Sequence, residues 1–516
     1  MTSPAVSHVP VLIVGGSIVG ASAALFLAAR GTTPVVIEKH PAVSNRLRAK
    51  LFYPRTMEAY RAVGIDRDIY AIQNGLPPAD HAAVVESLAG AERRRWPLPA
   101  VADFTDVSPS PTAFVKQADL EEVVRAHARA AGADLRFGHR CLDIEQHEDR
   151  VVARILDADG EMYTVTADYL LAADGNGSGV RERFGIGRSG IDAVAHSVEV
   201  GFEADLHRIL DGRRLAMAWT DETFLSWNTA HDGGTVTIAY DPAITDPETT
   251  FDADRCREIV SRALGLPDSR ITITGRRRWH MGGWTADAYR AGRVFLIGDA
   301  AHVTPPTGGF GANTGIQDAW NITAKLVSIL RGDADPRLLD DYEPERRPVG
   351  EITVEQALLR VRDRADAPIP DSPLLSEAAV AIGYRYPMPG IDDAGLPRVD
   401  EPGRWRGEPG TRLPHRWLDG GISTLDLVRG GRYLVLTAPD GEAWAHAARK
   451  LDPTGSTLDI APLPHPDPCG IGVDGALLVR PDHVIAWRAQ HSDSDVGAAL
   501  RAAVHRALGR SAVPAQ

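Results

Sequence analysis

The stretch VLIVGGSIVGASAALFLAARGTTPVVIEKH, Val11 to His40, is the strongest constraint on how this chain folds. Val11 to Val14 is an apolar, β-branched run of the kind that forms a strand buried on both faces. Val19 to Arg30 is rich in Ala and Leu and predicts a helix, with Gly31 placed as its C-cap. Pro34 to Ile37 predicts a second buried strand, ending at Glu38. Between the first strand and the helix lies GGSIVG, which departs from the dinucleotide-binding loop G-x-G-x-x-G at one place, Ser17. Gly15 permits the tight turn and Gly20 lets helix and strand pack closely. Glu38 follows at the separation at which a carboxylate takes a ribose hydroxyl. The unit reads as a βαβ fold with a nucleotide at its first turn.

Two later segments narrow the ligand. In YTVTADYLLAADGNGSGVRERFGI, Tyr169 to Ala173 predicts a buried strand, followed by Asp174-Gly175, Ser178 and Arg181. Open α/β sheets hold ligands beyond such strand ends, although Asp-Gly is equally an ordinary turn. In GRVFLIGDAAHVTPPTGGFGANTGIQDAWNITAKL, Val294 to Ile297 predicts another buried strand, closed by Gly298-Asp299. Pro305-Pro306 and the glycine-rich Gly308 to Gly311 then lead into a helix from about Ala312 to Leu330. This arrangement offers a carboxylate for sugar or polyol hydroxyls, then a helix N-terminus whose free N–H groups favour negative charge.

Together these segments resemble the fingerprints of the class A flavoprotein monooxygenases, which share the para-hydroxybenzoate hydroxylase fold. The resemblance runs from Val11 to about Arg347 and includes RLRAKLFYPRTMEAYRAVGI and FVKQADLEEVVRAHARAAGADLRFG. PTGGFGANTGIQDA, GYRYP and RPDHVIAWR bring it nearest to the aromatic polyketide hydroxylase branch, which includes aklavinone hydroxylase. It implies an α/β chain with a Rossmann-like FAD-binding domain, an inserted β-sheet substrate domain and a C-terminal thioredoxin-like domain. It implies FAD as cofactor, NAD(P)H as electron donor and O2 as co-substrate. A flavin hydroperoxide would hydroxylate a phenolic, polycyclic aromatic intermediate. The cofactor would be bound by Gly15, Ser17, Ile18, Val19, Gly20, Glu38, Lys39, Arg48, Gln117, Leu142 and Asp174. Asp299, Pro306, Gly309, Gly311, Ala312 and Asn313 would complete that site. Phe310 and Ala312 depart from the family's frequent Gln and Met.

Composition agrees with a globular chain of several cores: 516 residues, 44% hydrophobic and 24% charged. A net charge of −13 argues against a nucleic-acid partner. Cys141, Cys256 and Cys469 are too few and scattered for a disulfide framework or metal site, which points to a reducing cytoplasm. No secretory signal or membrane-length apolar run is visible, so no membrane partner is expected. The turns HEDR and DADGEM predict an antiparallel meander between Asp134 and Ala172, lying over the parallel sheet. The expected domains are 1–76, 114–190 and 281–395 for the cofactor, and 77–113 and 191–280 for the substrate. Residues 396–516 form the thioredoxin-like part, reached through a Gly/Pro-rich linker from Gly390 to His415. That part lacks C-x-x-C, so thiol redox work is not expected.

No Ser-His-Asp, zinc or paired-carboxylate constellation stands out, as suits a chain whose oxidising power belongs to a cofactor. Trp219, Trp227 and Phe310 are candidate substrate-binding residues; the two tryptophans serve equally as sheet core. Arg385 is the candidate catalytic residue, a permanent cation to orient a phenolate or the distal oxygen, with a structural ion pair as its other reading. His302 is expected to hold its loop. Baeyer–Villiger insertion, epoxidation, or a flavin-binding partner without turnover are the alternatives, and the protein is expected to be a monomer or homodimer.

Overall fold

The computed structural model describes residues 7–43, 48–73, 81–97, 103–228, 233–365, 373–388, 390, 395–464, 469–492 and 495–510. Two compact units are present: residues 1–70, 104–189 and 284–516 form the first, and 71–103 with 190–283 the second.

The first unit is built on a parallel sheet. Its strands are β1 (Ser7–Val14), β2 (Val35–Glu38), β3 (Asp134–Phe137), β4 (Met162–Ala172) and β5 (Val294–Leu296), in the order β3-β2-β1-β4-β5. Val11, Leu12, Ile13, Val36, Leu170, Leu171, Phe295 and Leu296 are essentially inaccessible, as strands covered on both faces require. Helix α1 (Ile18–Ala28) is apolar around its whole circumference. It packs against both α3 (Gln117–Ala130) and α4 (Phe310–Leu330), so no polar face is needed. Between α1 and α3 in sequence lies α2 (Pro54–Ala62), and after α4 comes the long α5 (Tyr342–Ala365).

The expected meander over the sheet is corrected in two respects. Asp134–Phe137 joins the parallel sheet as its edge, Val35 pairing with Asp134 and Glu38 with Phe137. The antiparallel strands Arg140–Gln146 and Val151–Leu156 extend that sheet rather than lying over it. The reason is the length of β4: Met162 to Ala167 pairs with Val151–Leu156, while Val165 to Ala172 pairs with β1.

The C-terminal region of this unit carries β6 (Tyr433–Thr437), β7 (Leu458–Pro462), β8 (Ala476–Val479) and β9 (Ile485–Ala489) in the order β7-β6-β8-β9. Only β6 and β7 are parallel, which is the thioredoxin-like arrangement. Helices α6 (Glu442–Leu451) and α7 (Val496–Ala507) pack together over Val435, Leu478, Trp444 and Leu500. The expected linker is a packed strap. Tyr384 bridges Val399, Tyr386 N donates to the Gly410 carbonyl, and Leu413 N donates to the His483 carbonyl. Trp405 and Leu413 bury their side chains along it, so Gly and Pro here shape turns rather than free a tether. Residues 391–394 of that stretch lie outside the described residues.

The second unit is an antiparallel-rich sheet. Its order is Thr272–Ala286, Arg188–Glu203, Gly233–Tyr240, Thr223–Asn228, Leu215–Trp219, His81–Val85 and Glu92–Pro97. One face buries Val198, Val200, Leu225, Trp227, Val236 and Ile238 with Ile259 and Val260 of the helix Ala253–Leu264. The alternation of strands sends Trp219, Phe224, Ser226 and Thr235 to the opposite face. Among the described residues, no helix is long and apolar enough to cross a membrane.

Candidate active site

The carboxyl ends of four strands lie side by side. Val14 pairs with Ile37 and Ala172, and Ala172 with Leu296, so one sheet edge presents Glu38, the Gly15–Gly20 turn, Asp174 and Asp299 in a row. At the usual strand spacing this row spans roughly 14 Å.

The first turn shows why serine replaces a glycine. Gly15 has φ 104°, and a Cβ there would collide with the Ala173 carbonyl. A Cβ on Gly20 would strike the Gly15 carbonyl. Ser17 has φ −74° and ψ −172°, an extended conformation open to any residue. Its hydroxyl leaves the helix uncapped and donates to Glu121 Oε1 at 2.6 Å. The same oxygen accepts from Ile18 N at 3.0 Å and Gln117 Nε2 at 2.8 Å. Arg125 grips the other carboxylate oxygen at 3.1 Å and the Gly16 carbonyl at 2.7 Å. Burial lowers the Arg125 pKa, against the pull of Glu121 and Glu38. Exposed Arg48 reaches the Ser17 hydroxyl at 3.3 Å.

Glu38 is buried and accepts from Gly16 N at 2.7 Å and His40 N at 2.8 Å, while Lys39 is exposed. Both carboxylate oxygens keep further acceptor capacity. Leu142 sits at an irregularity in the pairing of Arg140–Gln146 and is half exposed. Asp174 turns inward: Ser178 Oγ donates to it at 2.6 Å and Val180 N at 3.1 Å, and burial raises its carboxyl. Its oxygens organise the Asp-Gly turn.

Asp299 is different. Its side chain is accessible, and it makes no hydrogen bond or ion pair among the described residues. Surrounding protein nevertheless desolvates it and raises its carboxyl, against the lowering influence of His302 and Arg48. Behind it, Asp318 accepts from Gly298 N at 3.0 Å, His302 Nε2 at 2.7 Å and Arg346 Nε at 2.8 Å. Burial pushes the Asp318 carboxyl up, but His302 and Arg346 outweigh it and hold it below its ordinary range. His302 thus pins the turn.

Helix α4 begins at Phe310 after Gly308 and Gly309, both with positive φ, with Gly309 N donating to the carbonyl of exposed Pro306 at 3.1 Å. Gly311 and Ala312 keep accessible surface, so their amides can meet a ligand. Asn313 cannot do so with its side chain. It donates to the carbonyls of Leu51 and Gly309 at 3.0 and 2.9 Å. It accepts from Tyr53 N and Thr56 Oγ1, both at 2.8 Å.

Three side chains stand apart from their expected roles. Trp227 is core, 5% exposed beneath the helix Ala253–Leu264. Phe310 is buried, stacked on Tyr53 at 5.7 Å with the Arg360 guanidinium 5.1 Å above its ring, so its face is already covered. Arg385 is buried in the strap, its N–H bonded to the Arg398 carbonyl and its Nε 3.5 Å from the Pro397 carbonyl. Trp219 keeps partial exposure and pairs with Phe224 at 4.9 Å, beside the Ser226–Thr235 hydroxyl pair at 2.9 Å. Sequence reasoning missed Glu121 and Arg125. The signal was present, since Gln117, Glu121 and Arg125 recur every fourth residue and share one helix face.

Residues 8–357 match the family model "FAD binding domain", and residues 406–511 match "Aromatic-ring hydroxylase, C-terminal". The chain is 37% identical to tetracenomycin A2 monooxygenase-dioxygenase of Streptomyces glaucescens, covering 98% of this chain and 97% of that one. It is 35% identical to 4-methyl-5-nitrocatechol 5-monooxygenase of a Burkholderia species, covering 99% of each. Its fold superposes on the ternary complex of aklavinone-11 hydroxylase with FAD and aklavinone with a TM-score of 0.86. That match has 32% identity and covers 97% of this chain and 99% of the other.

Proposed function

The chain belongs to the FAD-dependent aromatic-ring hydroxylases, and from that membership we propose that it hydroxylates a phenolic, polycyclic aromatic compound of the polyketide type. The balanced reaction takes the arene, O2, NAD(P)H and a proton to the phenol, water and NAD(P)+. The support for the compound class is similarity to proteins whose names carry tetracenomycin A2 and aklavinone.

The row of groups on the sheet edge carries this reading, because it fits FAD in kind and order. Glu38 suits a ribose, and the Gly15–Gly20 turn with Arg48 suits a diphosphate. Asp299, accessible and unpartnered, suits the ribityl hydroxyls. The amides of Gly311 and Ala312 at the start of α4 suit the electron-rich edge of the flavin ring. Bound FAD supplies the redox chemistry, accepting a hydride and activating O2. The protein's own contribution is placement: Glu121 and Arg125 fix the turn, Asp318 fixes the Asp299 loop through Gly298 N, and Asn313 locks α4 to Tyr53 and Thr56.

Trp219 and Phe224, with the Ser226 and Thr235 hydroxyls, are the substrate-facing set within the second unit. Two adjacent rings suit a flat aromatic, and hydroxyls suit its phenolic oxygens. Arg385 has the contacts of a structural cation.

The experiment is anaerobic reduction of the holoenzyme by NADPH and NADH across a panel of polyphenols, followed by product mass and NMR after oxygen is admitted. A polycyclic phenol that speeds flavin bleaching and gains one oxygen atom supports the proposal. Acceleration by single-ring catechols alone would move the assignment to the class named in the Burkholderia relative. Ring expansion in the product would assign Baeyer–Villiger chemistry instead.

A further inference from the structure

Away from the sheet edge, the first unit contains a recess of about 440 Å³ between the C-terminal ends of α1 and α2, Trp320 in the middle of α4, and the loops around residues 425–431 and 481–483 of the thioredoxin-like part. Its walls hold an unusual concentration of unsatisfied polarity. Nine buried side-chain nitrogen or oxygen atoms lack a hydrogen-bond partner among the described residues, and four belong to its lining. These are Arg30 Nη1, Trp320 Nε1 and both ring nitrogens of His483. The three residues are 7%, 3% and 2% exposed.

The charges around the recess select the sign of what belongs there. Arg61 is bound by Asp426 through two hydrogen bonds of 2.7 and 2.8 Å. Glu58 is held by Arg55 at 3.2 Å and Arg412 at 2.9 Å. Asp482 is committed to Arg480 at 2.6 Å. Among the described residues no carboxylate forms an ion pair with Arg30, although Asp482 attracts it from beyond contact. Its guanidinium lies 4.0 Å above the Trp320 ring and gives one hydrogen bond, to the Pro481 carbonyl at 3.3 Å. Burial lowers its pKa to about 9, so it remains a cation at neutral pH. Burial, and then Arg55, Arg30 and Arg412, keep the His483 imidazole neutral. It therefore holds one N–H to donate and sits in a positive field. His483 also occupies the left-handed region at φ 68°, where a non-glycine residue is uncommon. A buried cationic fork, an indole N–H and an imidazole N–H line one recess whose carboxylates, Glu58 and Asp426, are already held by arginines. Water satisfies neutral donors, but an unpaired buried guanidinium calls for an anion.

We propose that this recess is a binding site for a small oxyanion, a carboxylate or phosphate group, gripped by Arg30, Trp320 and His483. Such an anion would tie the thioredoxin-like part to α1 and α4, whose N-termini frame the cofactor edge.

The test uses holoenzyme, so that the cofactor's own diphosphate site is filled. Isothermal titration calorimetry with inorganic phosphate and with succinate, at constant ionic strength in chloride, is compared across wild type, Arg30→Gln and Trp320→Phe. One saturable site per chain for at least one probe is expected, with affinity falling about tenfold or more in Arg30→Gln. Trp320→Phe removes one neutral donor, should weaken binding several-fold, and decides the matter if Arg30→Gln does not fold. The tighter probe identifies the anion class. Saturable heat from neither probe, or equal affinity in wild type and every folded variant, overturns the proposal. FAD content and NAD(P)H oxidation in the same samples report separately on the hydroxylase assignment.

Discussion

Ser17 Oγ donates to Glu121 Oε1 across 2.6 Å, joining the cofactor turn to a helix 104 residues further along the chain. Through this contact one carboxylate holds Ser17, Ile18 and Gln117 while pairing with Arg125. Removing its charge should loosen the turn and leave Arg125 buried with only the Gly16 carbonyl as partner. Glu121→Gln is expected to weaken FAD binding about tenfold or more, read by flavin fluorescence after ultrafiltration. FAD retained at wild-type affinity would show that the turn is rigid without this hub.

Ser17→Gly restores the customary fingerprint and should nevertheless not help. At φ −74° glycine gains no conformational relief, and it loses the bond to Glu121. Stability is expected to fall by about 1–2 kcal/mol in chemical denaturation, without tighter FAD binding. A rise in both quantities would contradict the account of the turn.

Asp299→Asn separates a ligand-binding residue from a structural one. The carboxylate makes no hydrogen bond or ion pair among the described residues, and its raised pKa means that ionisation costs the folded state at neutral pH. The apoprotein should therefore melt at the wild-type temperature or above, while FAD affinity collapses. A lower apoprotein melting temperature would mark Asp299 as structural.

The two candidate tryptophans should behave oppositely. Trp227→Ala empties a fully packed position and is expected to cost about 3–5 kcal/mol in stability. Trp219→Ala, on the partly open face, should leave the melting temperature nearly unchanged and raise the KM for the aromatic substrate. Equal destabilisation by both would remove Trp219 from the substrate-facing set.

Acid sensitivity should appear in two windows. Burial, with Arg412 nearby, lowers the His415 pKa to about 4, and burial, with Arg55 nearby, lowers His483 as well. The unfolded chain protonates these imidazoles first, so stability is constant above about pH 6.5 and falls as pH drops from there towards 4. For Asp318, Glu345 and Asp482, burial is outweighed by their cationic partners and the carboxyls are lowered. Their contribution is present above about pH 4 and lost only below it. His415→Gln should make the upper window shallower, with His483 still contributing, and leave the lower window unchanged in a series of melting curves against pH. An unchanged slope between pH 6.5 and 4 would remove His415 as its source.

The sequence by itself determined the βαβ unit, the strands ending at Glu38, Asp174 and Asp299, and the glycine entry to α4. Each is a matter of local period, turn chemistry and chain order, and a strand's end falls where its apolar run stops. Only the tertiary structure decided which polar groups were left for a ligand. Asp174 and Asp299 both follow a buried strand with a Gly as neighbour, yet one is consumed by Ser178 and Val180 while the other has no partner among the described residues. Asn313 is spent on residues more than 250 positions away, and Trp227 faces the core because its strand's neighbours fixed which side is covered. A hydrogen bond or a buried face depends on what arrives opposite it, and that partner is set by packing rather than by the neighbouring sequence.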